Sequence, residues 1–471
     1  MNDIINVLGL EDESVQITNV AICDMVKTIT VEKLLQPTFC PLCGGRMHSK
    51  GVTVRKINHP VLQDGFQLVI NLRQRRWKCT LCGHSSTDTF KFVSPYKHST
   101  NVTDLLILEN IRNLNMSFTD IAKKFNVSDT YIHTVFDKYV EMDRLPLTEI
   151  ICIDEVFTDV VTYSKYSMVI LDFISGQPID ILPSRQEKDT TKYFHSISYE
   201  ERCKVKYLVT DMYNPYLAYA ETFFPNAVSA IDSYHVIQWL IHRLNLLLIH
   251  ITKEYERRDD EYRLKRERDH IPVRKNWVSD EVYLLKKHRW VLLKNQDDID
   301  YDMPSHKDYH FGYYMDTYMY EKAFLDIHPE FAQIRNLKEK YIRFNRRNHG
   351  DLDSVREELI TLIYEYRHSP FPTFHAFADL LDKYFHEILN SFIIVEKYDM
   401  KHRRLSSGII ESFNRKPKDI RRAARGYRNF DHMRNRLLFA TRTDPAILGV
   451  PKTDEEVKHY TGLHRGPYKK K

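Results

Sequence analysis

Three aspartates in this chain each follow a short run of apolar residues. Asp154 comes after Ile-Cys-Ile, Asp211 after Leu-Val-Thr, and Asp232 after Ser-Ala-Ile. Short apolar runs are typical of buried strands. A fourth acid, Glu411, lies far along the chain in the helical stretch Ser-Gly-Ile-Ile-Glu-Ser-Phe-Asn. We therefore expect strand ends and one distant helix to gather carboxylates around a divalent metal, because Mg²⁺ and Mn²⁺ prefer carboxylate oxygens.

The chain is long enough for several domains. Its 471 residues correspond to about two to four domains. No apolar run reaches the roughly 18 residues needed to span a membrane, and the N-terminal residues lack the basic flank of a secretory signal. Seven cysteines, four of them in two pairs, fit a reducing compartment better than a disulfide framework. We expect a cytoplasmic protein with no membrane partner.

Positive charge is concentrated in three segments. Residues 46–78 contain eight Lys and Arg against one acid, residues 401–436 contain twelve against three, and residues 461–471 contain four against none. The whole chain has a net charge of only +5. Segregated positive charge is typical of a protein that binds a polyanion, although a basic run is more often only a solvated face.

Two Cys-x-x-Cys pairs predict a metal site in the first ninety residues. Cys40 and Cys43 form the first pair, Cys79 and Cys82 the second, and a glycine follows each pair. Two such pairs complete a closed tetrahedral site for one structural Zn²⁺. The 35 residues between the pairs include two β-like segments and predict a hairpin. Two buried cysteine pairs or a redox pair are the alternatives.

Residues 102–139 contain three short helical patterns. Ser117 and Asp120 form a capping-box-like start, and Asn126 lies where a turn requires a left-handed residue. The spacing predicts a helix-turn-helix whose second helix reads the major groove; an ordinary three-helix bundle is the alternative. We expect the second helix to expose its DNA-contacting side chains, Thr130, Tyr131, His133 and Thr134.

The segment that carries the aspartates predicts an α/β catalytic domain. Strand patterns at 150–154, 160–163 with 166–173, and 179–182 precede a helix, a strand, a helix and a strand that ends at Asp232. This is the element order of a ribonuclease H-like fold, whose final helix appears only near Leu405. We interpret the intervening residues as an all-helical insertion. Within it, residues 288–295 around Trp290 could stack on a distorted base, but core packing is at least as good an explanation.

These motifs together resemble one class of bacterial insertion-sequence transposase, which has an N-terminal zinc finger, a helix-turn-helix and an interrupted DDE domain. The resemblance covers roughly residues 38–445, and the Glu411 motif is its most specific part. One departure is Pro417, where the family usually has an apolar residue; proline removes a helical hydrogen bond, so we expect a kink just past Glu411. The matching stretches are Ile153-Asp-Glu155, Leu171-Asp172, Thr210-Asp-Met212, Phe224-Pro-Asn-Ala227, Asp232-Ser-Tyr-His-Val236, Ser406-x-Gly-x-x-Glu-x-x-Asn414, Lys418-x-x-x-Arg422 and Gly426-Tyr-Arg-Asn-Phe430.

The resemblance implies a multidomain α+β protein. Its expected parts are an N-terminal segment (1–37), a zinc-binding domain (38–95), a helix-turn-helix domain (100–142), a ribonuclease H-like catalytic domain (148–235 with 401–445), a helical insertion (236–400) and a basic C-terminal tail (446–471).

The resemblance also implies a catalytic triad of Asp154, Asp211 and Glu411 that holds two Mg²⁺ or Mn²⁺ ions. Asp154 would bridge both ions. The expected partners are the ends of the insertion sequence, target DNA and a second copy of the chain in the DNA complex, at the bacterial nucleoid. The basic residues that follow Glu411 on one helical face would hold the substrate phosphates; they are Arg415, Lys418 and Arg422.

Other acids compete for these roles. Glu155 is adjacent to Asp154, but alternation along a strand should point it to the opposite face. Asp232 and His235 are auxiliary candidates that would add a metal ligand or orient one, and Asp172 is more simply structural. Two rival functions also remain: a DNA-binding regulator derived from a transposase, and a metal-dependent nuclease that cuts without joining.

Overall fold

The structure is a computed structural model that describes residues 10, 12–24, 26–63, 66–347, 351–396, 402–453 and 455–457. These residues form a mixed α+β protein, as expected. The chain divides into two compact units. Unit one contains the residues up to Arg144, Phe157–Ser167 and the residues from Asn414, whereas unit two contains Leu145–Val156 and Met168–Phe413. Most of the predicted basic tail, from residue 458 onward, lies outside the described residues.

The elements are numbered in chain order. The strands are β1 (Val15–Cys23), β2 (Val26–Lys33), β3 (Met47–Gln63), β4 (Phe66–Cys79), β5 (Ser85–Thr87), β6 (Ile150–Val161), β7 (Ser164–Asp172), β8 (Pro178–Leu182), β9 (Tyr207–Thr210), β10 (Val228–Ile231), β11 (His306–Lys307), β12 (Tyr314–Met315), β13 (Ile394–Glu396) and β14 (His402–Arg404). The α-helices are α1 (Asn101–Ile111), α2 (Phe118–Phe125), α3 (Asp129–Tyr139), α4 (Glu187–His195), α5 (Tyr199–Arg202), α6 (Asn214–Phe223), α7 (Ser233–Arg268), α8 (Asp280–Lys287), α9 (Trp290–Leu293), α10 (Thr317–Leu325), α11 (Phe331–Arg347), α12 (Leu352–Arg367), α13 (Pro372–Lys383), α14 (Phe385–Asn390), α15 (Gly408–Phe413), α16 (Arg415–Ala423) and α17 (Phe430–Thr441). Among the described helices, none is both long enough and apolar enough to cross a membrane.

Unit one begins with a five-stranded sheet in the order β1-β2-β4-β3, with β5 added beside β4. The predicted hairpin between the two cysteine pairs is confirmed, because β3 and β4 pair antiparallel from Met47 opposite Cys79. The strands β1 and β2, which precede residue 38, join the same sheet. Ile57, Ile70 and Leu72 are completely buried in its core, so the sheet is held by packing as well as by its ladder.

The three helices that follow have the local features read from the sequence. The side chain of Ser117 accepts a hydrogen bond from the backbone of Asp120, and Asp120 accepts one in return. Asn126 ends α2 with a φ of 50°, the left-handed conformation that the turn requires. Ser128 caps α3 by accepting from the backbone of Tyr131 at 3.2 Å. These caps confirm the predicted helix boundaries.

Tyr131, however, points inward. Its hydroxyl donates to Asp104 at 2.6 Å and lies 2.6 Å from the hydroxyl of Ser99. Asp104 is only 1% exposed and also receives the ammonium of Lys97 at 2.5 Å. Burial, together with the hydrogen bond to Asp104, raises the pKa of Tyr131. The expectation that Tyr131 is fully exposed is therefore wrong: a buried carboxylate requires donors, and this phenol supplies one.

Unit two is organised around a second five-stranded sheet, in the order β10-β9-β6-β7-β8. Strands β6, β9 and β10 are parallel, and β7 and β8 are antiparallel. Helix α6 connects the parallel neighbours β9 and β10, which need a crossover. Helices α4 and α5 lead the chain from β8, at one edge of the sheet, to β9 on the other side of β6. Ile151, Ile153 and Leu208 of the sheet pack with Phe194 and Phe223 of the helices in one buried cluster. The order of elements is the one expected from the sequence.

The first strand of this sheet is longer than expected. Strand β6 continues unbroken to Val161, so Asp154 lies inside the strand, not at its end. Val156, Thr158 and Val160 are buried on alternate positions, which is the pattern that keeps a chain extended against a core. The parallel pairing of β6 with β9 nevertheless ends at Cys152 opposite Val209. Asp154 therefore follows the shared part of the ladder, next to the end of β9.

The residues between β10 and β14 form a largely helical body with its own core. Helix α7 extends over 36 residues and buries Val236, Leu240 and Leu244 against α9 to α13. Ile231 of β10 belongs to the same cluster. The expectation of an all-helical insertion is wrong in detail, because the short hairpins β11/β12 and β13/β14 interrupt it.

Trp290 belongs to this core and is only partly exposed. Its indole donates to His288 at 3.2 Å, and the ring of His288 stacks on Tyr320 with 4.0 Å between centroids. The next two residues, Val291 and Leu292, are completely buried. These contacts favour the core-packing interpretation of the segment.

Replacing Tyr131 with Phe should lower the free energy of unfolding by about 1–3 kcal/mol, because buried Asp104 would lose a donor. Urea unfolding of the full chain measures the change. Tyr96→Phe is the matched control, since Tyr96 is 91% exposed and should shift the value by less than about 0.5 kcal/mol. Equal effects of the two substitutions would contradict the inward role of Tyr131.

Candidate active site and zinc centre

Asp154 lies in β6, Asp211 directly follows the neighbouring strand β9, and the charge of Asp211 acts on Asp154. Burial raises the pKa of Asp154 to about 6; the backbone N–H of Glu155 opposes the rise, and the charge of Asp211 adds to it. Burial also raises the pKa of Asp211, while His235 and the backbone N–H of Tyr213 lower it. Two half-buried carboxylates that resist ionisation together form a pair that a cation would stabilise.

Glu155 has other partners. One of its oxygens accepts from the guanidinium of Arg185 at 2.5 Å, and the other accepts from the hydroxyl of Tyr216 at 2.8 Å. The guanidinium of Arg185 also lies over the ring of Tyr213, 5.2 Å from its centroid. With both oxygens engaged, Glu155 is a poorer candidate for a metal ligand than Asp154.

Glu411 lies in α15, and its side chain is exposed. Its backbone N–H donates to the carbonyl of Ser407 at 2.9 Å, and its Oε1 lies 3.5 Å from the Ser407 hydroxyl. Ser407 in turn donates to Asp232 from its backbone at 2.6 Å and from its hydroxyl at 2.5 Å. The distant Glu411 helix is therefore tied directly to the residue that ends β10.

The carboxylates are openly spaced. Among the described residues, only the four paired cysteines form a group of three or more metal-ligand side chains with all ligand atoms within 4.8 Å of one another. Asp154, Asp211 and Glu411 all belong to unit two, but their carboxylate oxygens do not all lie within 4.8 Å of one another. His235 is close enough to affect the pKa of both aspartates.

The helix that carries Glu411 does not continue through the basic residues. Helix α15 ends at Phe413, Asn414 intervenes, and α16 begins at Arg415. The predicted break past Glu411 is confirmed, and Pro417 occupies the first turn of α16, where its missing N–H is tolerated. The single helical face proposed for the acid and the bases is wrong, since it required one continuous helix.

Arg415, Lys418 and Arg422 belong instead to α16 in unit one. Lys418 and Arg422, with Arg421 and Arg425, line a surface cleft beside the ring of Phe157. The guanidinium of Arg421 lies 4.6 Å from that ring's centroid. This basic cleft is open to solvent and has the charge to contact phosphates.

On α3, Thr130 and His133 are exposed, whereas Thr134 is half-buried and its hydroxyl donates to the Thr130 carbonyl at 2.9 Å. The ring of His133 lies 5.1 Å from that of His432, in α17. Burial lowers the pKa of His432 to about 3. One edge of α3 therefore packs within the unit, and Thr130 with His133 remains accessible for DNA.

The four cysteines form the predicted cluster in unit one. The sulfurs of Cys43 and Cys79 lie 3.4 Å apart, those of Cys43 and Cys82 3.4 Å apart, and those of Cys40 and Cys82 3.6 Å apart. The backbone N–H of Cys82 lowers the pKa of the Cys79 thiol to about 6, although burial acts in the opposite sense. Four sulfurs that lie within 4.8 Å of one another fit a tetrahedral thiolate site for Zn²⁺.

The glycines beside the cysteines allow the chain to turn around the sulfurs. Gly44 and Gly83 follow the two pairs with φ values of 68° and 73°, in the left-handed region that favours glycine. A Cβ on Gly45 would lie 2.7 Å from the Leu81 side chain and 3.2 Å from the Cys79 sulfur. Only glycine therefore fits at that position without a shift of its neighbours.

Sequence reasoning missed three groups of residues at these sites. The partners of Glu155, Arg185 and Tyr216, carry no local pattern that could have identified them. Ser407 lies within the Glu411 motif, but its contact with Asp232 joins residues 175 positions apart. Arg421 and Arg425 were visible only as part of a basic run.

Comparison with known proteins identifies the family of the chain. The family model of DDE transposases of the ISL3 type, described as "Transposase", matches residues 151–437. This range contains both the aspartate-bearing strands and the Glu411 helix. The chain therefore belongs to this transposase family, and the predicted resemblance is confirmed.

A curated relative gives a particular member for comparison. The chain is 23% identical over 290 residues to the transposase for insertion sequence element IS1001 from Bordetella parapertussis. The similarity covers 58% of this chain and 63% of that protein.

Replacing Cys79 with Ser should reduce bound zinc from about one ion per chain to almost none, because a structural zinc site requires all four ligands. Metal analysis of the purified full chain measures this. Cys23→Ser is the matched control, because Cys23 is exposed and lies outside the cluster. Retention of full zinc by Cys79→Ser would show that the cluster is not the site.

Proposed function

We propose that this protein is an active DNA transposase, which binds the ends of its insertion sequence, cleaves DNA in a metal-dependent reaction and transfers the cleaved strand to target DNA. Its catalytic domain would be ribonuclease H-like, formed by residues 148–235 and 401–445 and interrupted by the insertion at 236–400. The main support is that Asp154 lies in β6 and Asp211 directly follows its parallel neighbour β9, while Glu411 belongs to unit two although it comes after the insertion in the chain.

Asp154, Asp211 and Glu411 would hold two divalent cations. The residues fit such ions: two of the carboxylates are half-buried, their pKa values are raised, and the third is exposed. When bound, a pair of Mg²⁺ ions lowers the pKa of the attacking water and neutralises the leaving 3′ oxygen. His235 helps to keep Asp211 ionised by lowering its pKa. Arg185, held by Glu155 at 2.5 Å, places positive charge in the same region.

Unit one would provide the DNA-binding surfaces. The zinc module and helices α1–α3 would recognise the ends, with Thr130 and His133 on the exposed side of α3. The basic cleft of α16 would contact phosphates without reading sequence. A homodimer on the DNA would bring two ends together, and the protein would act at the bacterial nucleoid in the cytoplasm, where its substrate is.

Changing Asp154 or Asp211 to Asn, or Glu411 to Gln, should reduce Mg²⁺-dependent end cleavage and strand transfer together by more than about 100-fold. Residues that merely orient a metal ligand already cost about 10–100-fold. A gel assay on end-containing DNA with Mg²⁺ or Mn²⁺ measures both steps. Asp172→Asn is the matched control, because Asp172 accepts hydrogen bonds from its own turn and from Thr148.

End binding should survive all three changes. Near wild-type turnover by Glu411→Gln would refute the triad. Cleavage by the wild-type chain without joining would favour a nuclease, and binding without cleavage would favour a regulator.

Removing Thr130 and His133 together, by alanine, should weaken binding to the element's ends more than binding to random DNA. Replacing Lys418 and Arg422 with Gln should weaken binding to the ends and to random DNA to a similar extent. The slope of the logarithm of the binding constant against the logarithm of the salt concentration should become smaller by about one for each phosphate that the variant no longer neutralises. Competition binding at several salt concentrations separates the two effects.

The double substitution Lys253→Gln and Arg257→Gln, on the exposed side of α7, is the charge-matched control. If the α3 substitutions weaken binding to the ends and to random DNA equally, α3 has only a structural or phosphate-contacting role.

A further inference from the structure

Asp232 connects two distant parts of unit two through its carboxylate. It follows β10 and is only 4% exposed. Its Oδ1 accepts from the backbone of Tyr234 at 2.8 Å and so caps α7. Its Oδ2 accepts from the backbone and hydroxyl of Ser407 at 2.6 and 2.5 Å. Hydrogen bonds to an ionised acceptor are the strong ones, so this contact fixes Ser407 firmly.

Ser407 immediately precedes α15, the helix of Glu411. Its carbonyl accepts the backbone N–H of Glu411 at 2.9 Å. The hydroxyl of Ser407 has a single proton, and the 2.5 Å contact with Asp232 uses it. The nearby Oε1 of Glu411, at 3.5 Å, therefore receives no proton from this serine. Glu411 remains an exposed carboxylate whose backbone position is set by Ser407.

A second anchor holds the residues just before Ser407. The guanidinium of Arg404 donates to the carbonyl of Asn345 at 2.6 Å and to that of Ser391 at 3.2 Å, and it lies 3.7 Å from the centre of the Phe392 ring. The backbone of Leu405 donates to Ile393 at 3.1 Å. The chain therefore leaves the insertion along a fixed path and meets Asp232 at a fixed point.

We propose that Asp232 is a positioning residue for Glu411 and not a metal ligand. Its carboxylate is buried, and both of its oxygens accept hydrogen bonds from the protein, Oδ1 from Tyr234 and Oδ2 twice from Ser407. Through Ser407 it sets where α15 begins and hence where Glu411 stands relative to Asp154 and Asp211. The proposal rests on the proposed transposase activity. In it, the Asp232–Ser407 contact holds the backbone at the start of the helix that carries Glu411.

The test compares full-length wild type with Asp232→Asn, Ser407→Ala, the double variant and Glu411→Gln. End cleavage is measured over a range of Mg²⁺ concentrations, with end binding and melting temperature recorded on the same samples. Asp232→Asn and Ser407→Ala should each reduce maximal cleavage by about 10–100-fold and raise the Mg²⁺ concentration for half-maximal rate. End binding should be unchanged. The double variant should be little worse than Asp232→Asn, because the two residues act as one unit.

Two further serine variants give the controls. Ser407→Thr retains the hydroxyl and should recover most of the activity, whereas a general packing defect would not be corrected in this way. Ser412→Ala removes an exposed hydroxyl from the same helix and should leave cleavage and Mg²⁺ dependence near wild type. If Asp232→Asn does not fold, Ser407→Ala alone still decides, because it keeps the backbone contact with Asp232.

The outcomes distinguish a failure of the positioning role from a failure of the proposed function. If the wild type cleaves DNA and Ser407→Ala has full activity with an unchanged Mg²⁺ dependence, the positioning role alone is overturned. Loss of activity only in Asp232→Asn would also overturn positioning through the Ser407 hydroxyl. No Mg²⁺- or Mn²⁺-dependent cleavage by end-bound wild type would overturn the proposed function and the positioning role with it.

Discussion

The parallel pairing of β6, β9 and β10 is the constraint on which unit two depends. Parallel neighbours cannot be joined by a tight turn, so a crossover must follow β9, and the chain must pass from β8 at the sheet edge to the other side of β6 before β9 can pair. The same pairing directs the ends of β9 and β10 toward one edge of the sheet, and Asp211 and Asp232 follow those ends directly. Asp154 reaches the region differently, because β6 continues past its ladder with β9. Two carboxylates close to each other in a half-buried position then raise each other's pKa or take up positive charge.

The long insertion between β10 and α15 raises a separate physical problem. A chain that leaves the sheet after Asp232 and returns at Ser407 must close a loop of more than 170 residues, and the entropy of closure increases with its length. Here the insertion folds on its own core, which includes Ile231 of the edge strand. Asn390 of α14 also donates to the Ser229 carbonyl of β10 at 2.9 Å. The inserted body is thus attached to the sheet, and its two ends meet in the Asp232–Ser407 contact.

The cysteine cluster and the candidate acidic site differ in how closely their ligand atoms are gathered. The cysteine cluster has its ligand atoms already gathered, and left-handed glycines complete the turns around it. A structural zinc site gains stability from such closure. The acidic site is open, with Asp154 and Asp211 in the sheet and Glu411 on a separate exposed helix. An open arrangement leaves space for water and a phosphodiester, which a closed four-ligand site would exclude.

The sequence by itself determined the features that depend on residues close together in the chain. The capping box at Ser117, the left-handed Asn126, the Cys-x-x-Cys turns and the apolar runs before Asp211 and Asp232 were all readable, because each depends on local backbone geometry. The motifs around the aspartates and Glu411 were together sufficient to predict the transposase family. Tertiary structure alone decided which distant groups pair. It directed Tyr131 to buried Asp104, engaged Glu155 with Arg185 and Tyr216, kept Asp154 inside a long strand and joined Asp232 to Ser407. Buried charges must find donors wherever the packed fold supplies them, and no local pattern states which part of the chain that will be.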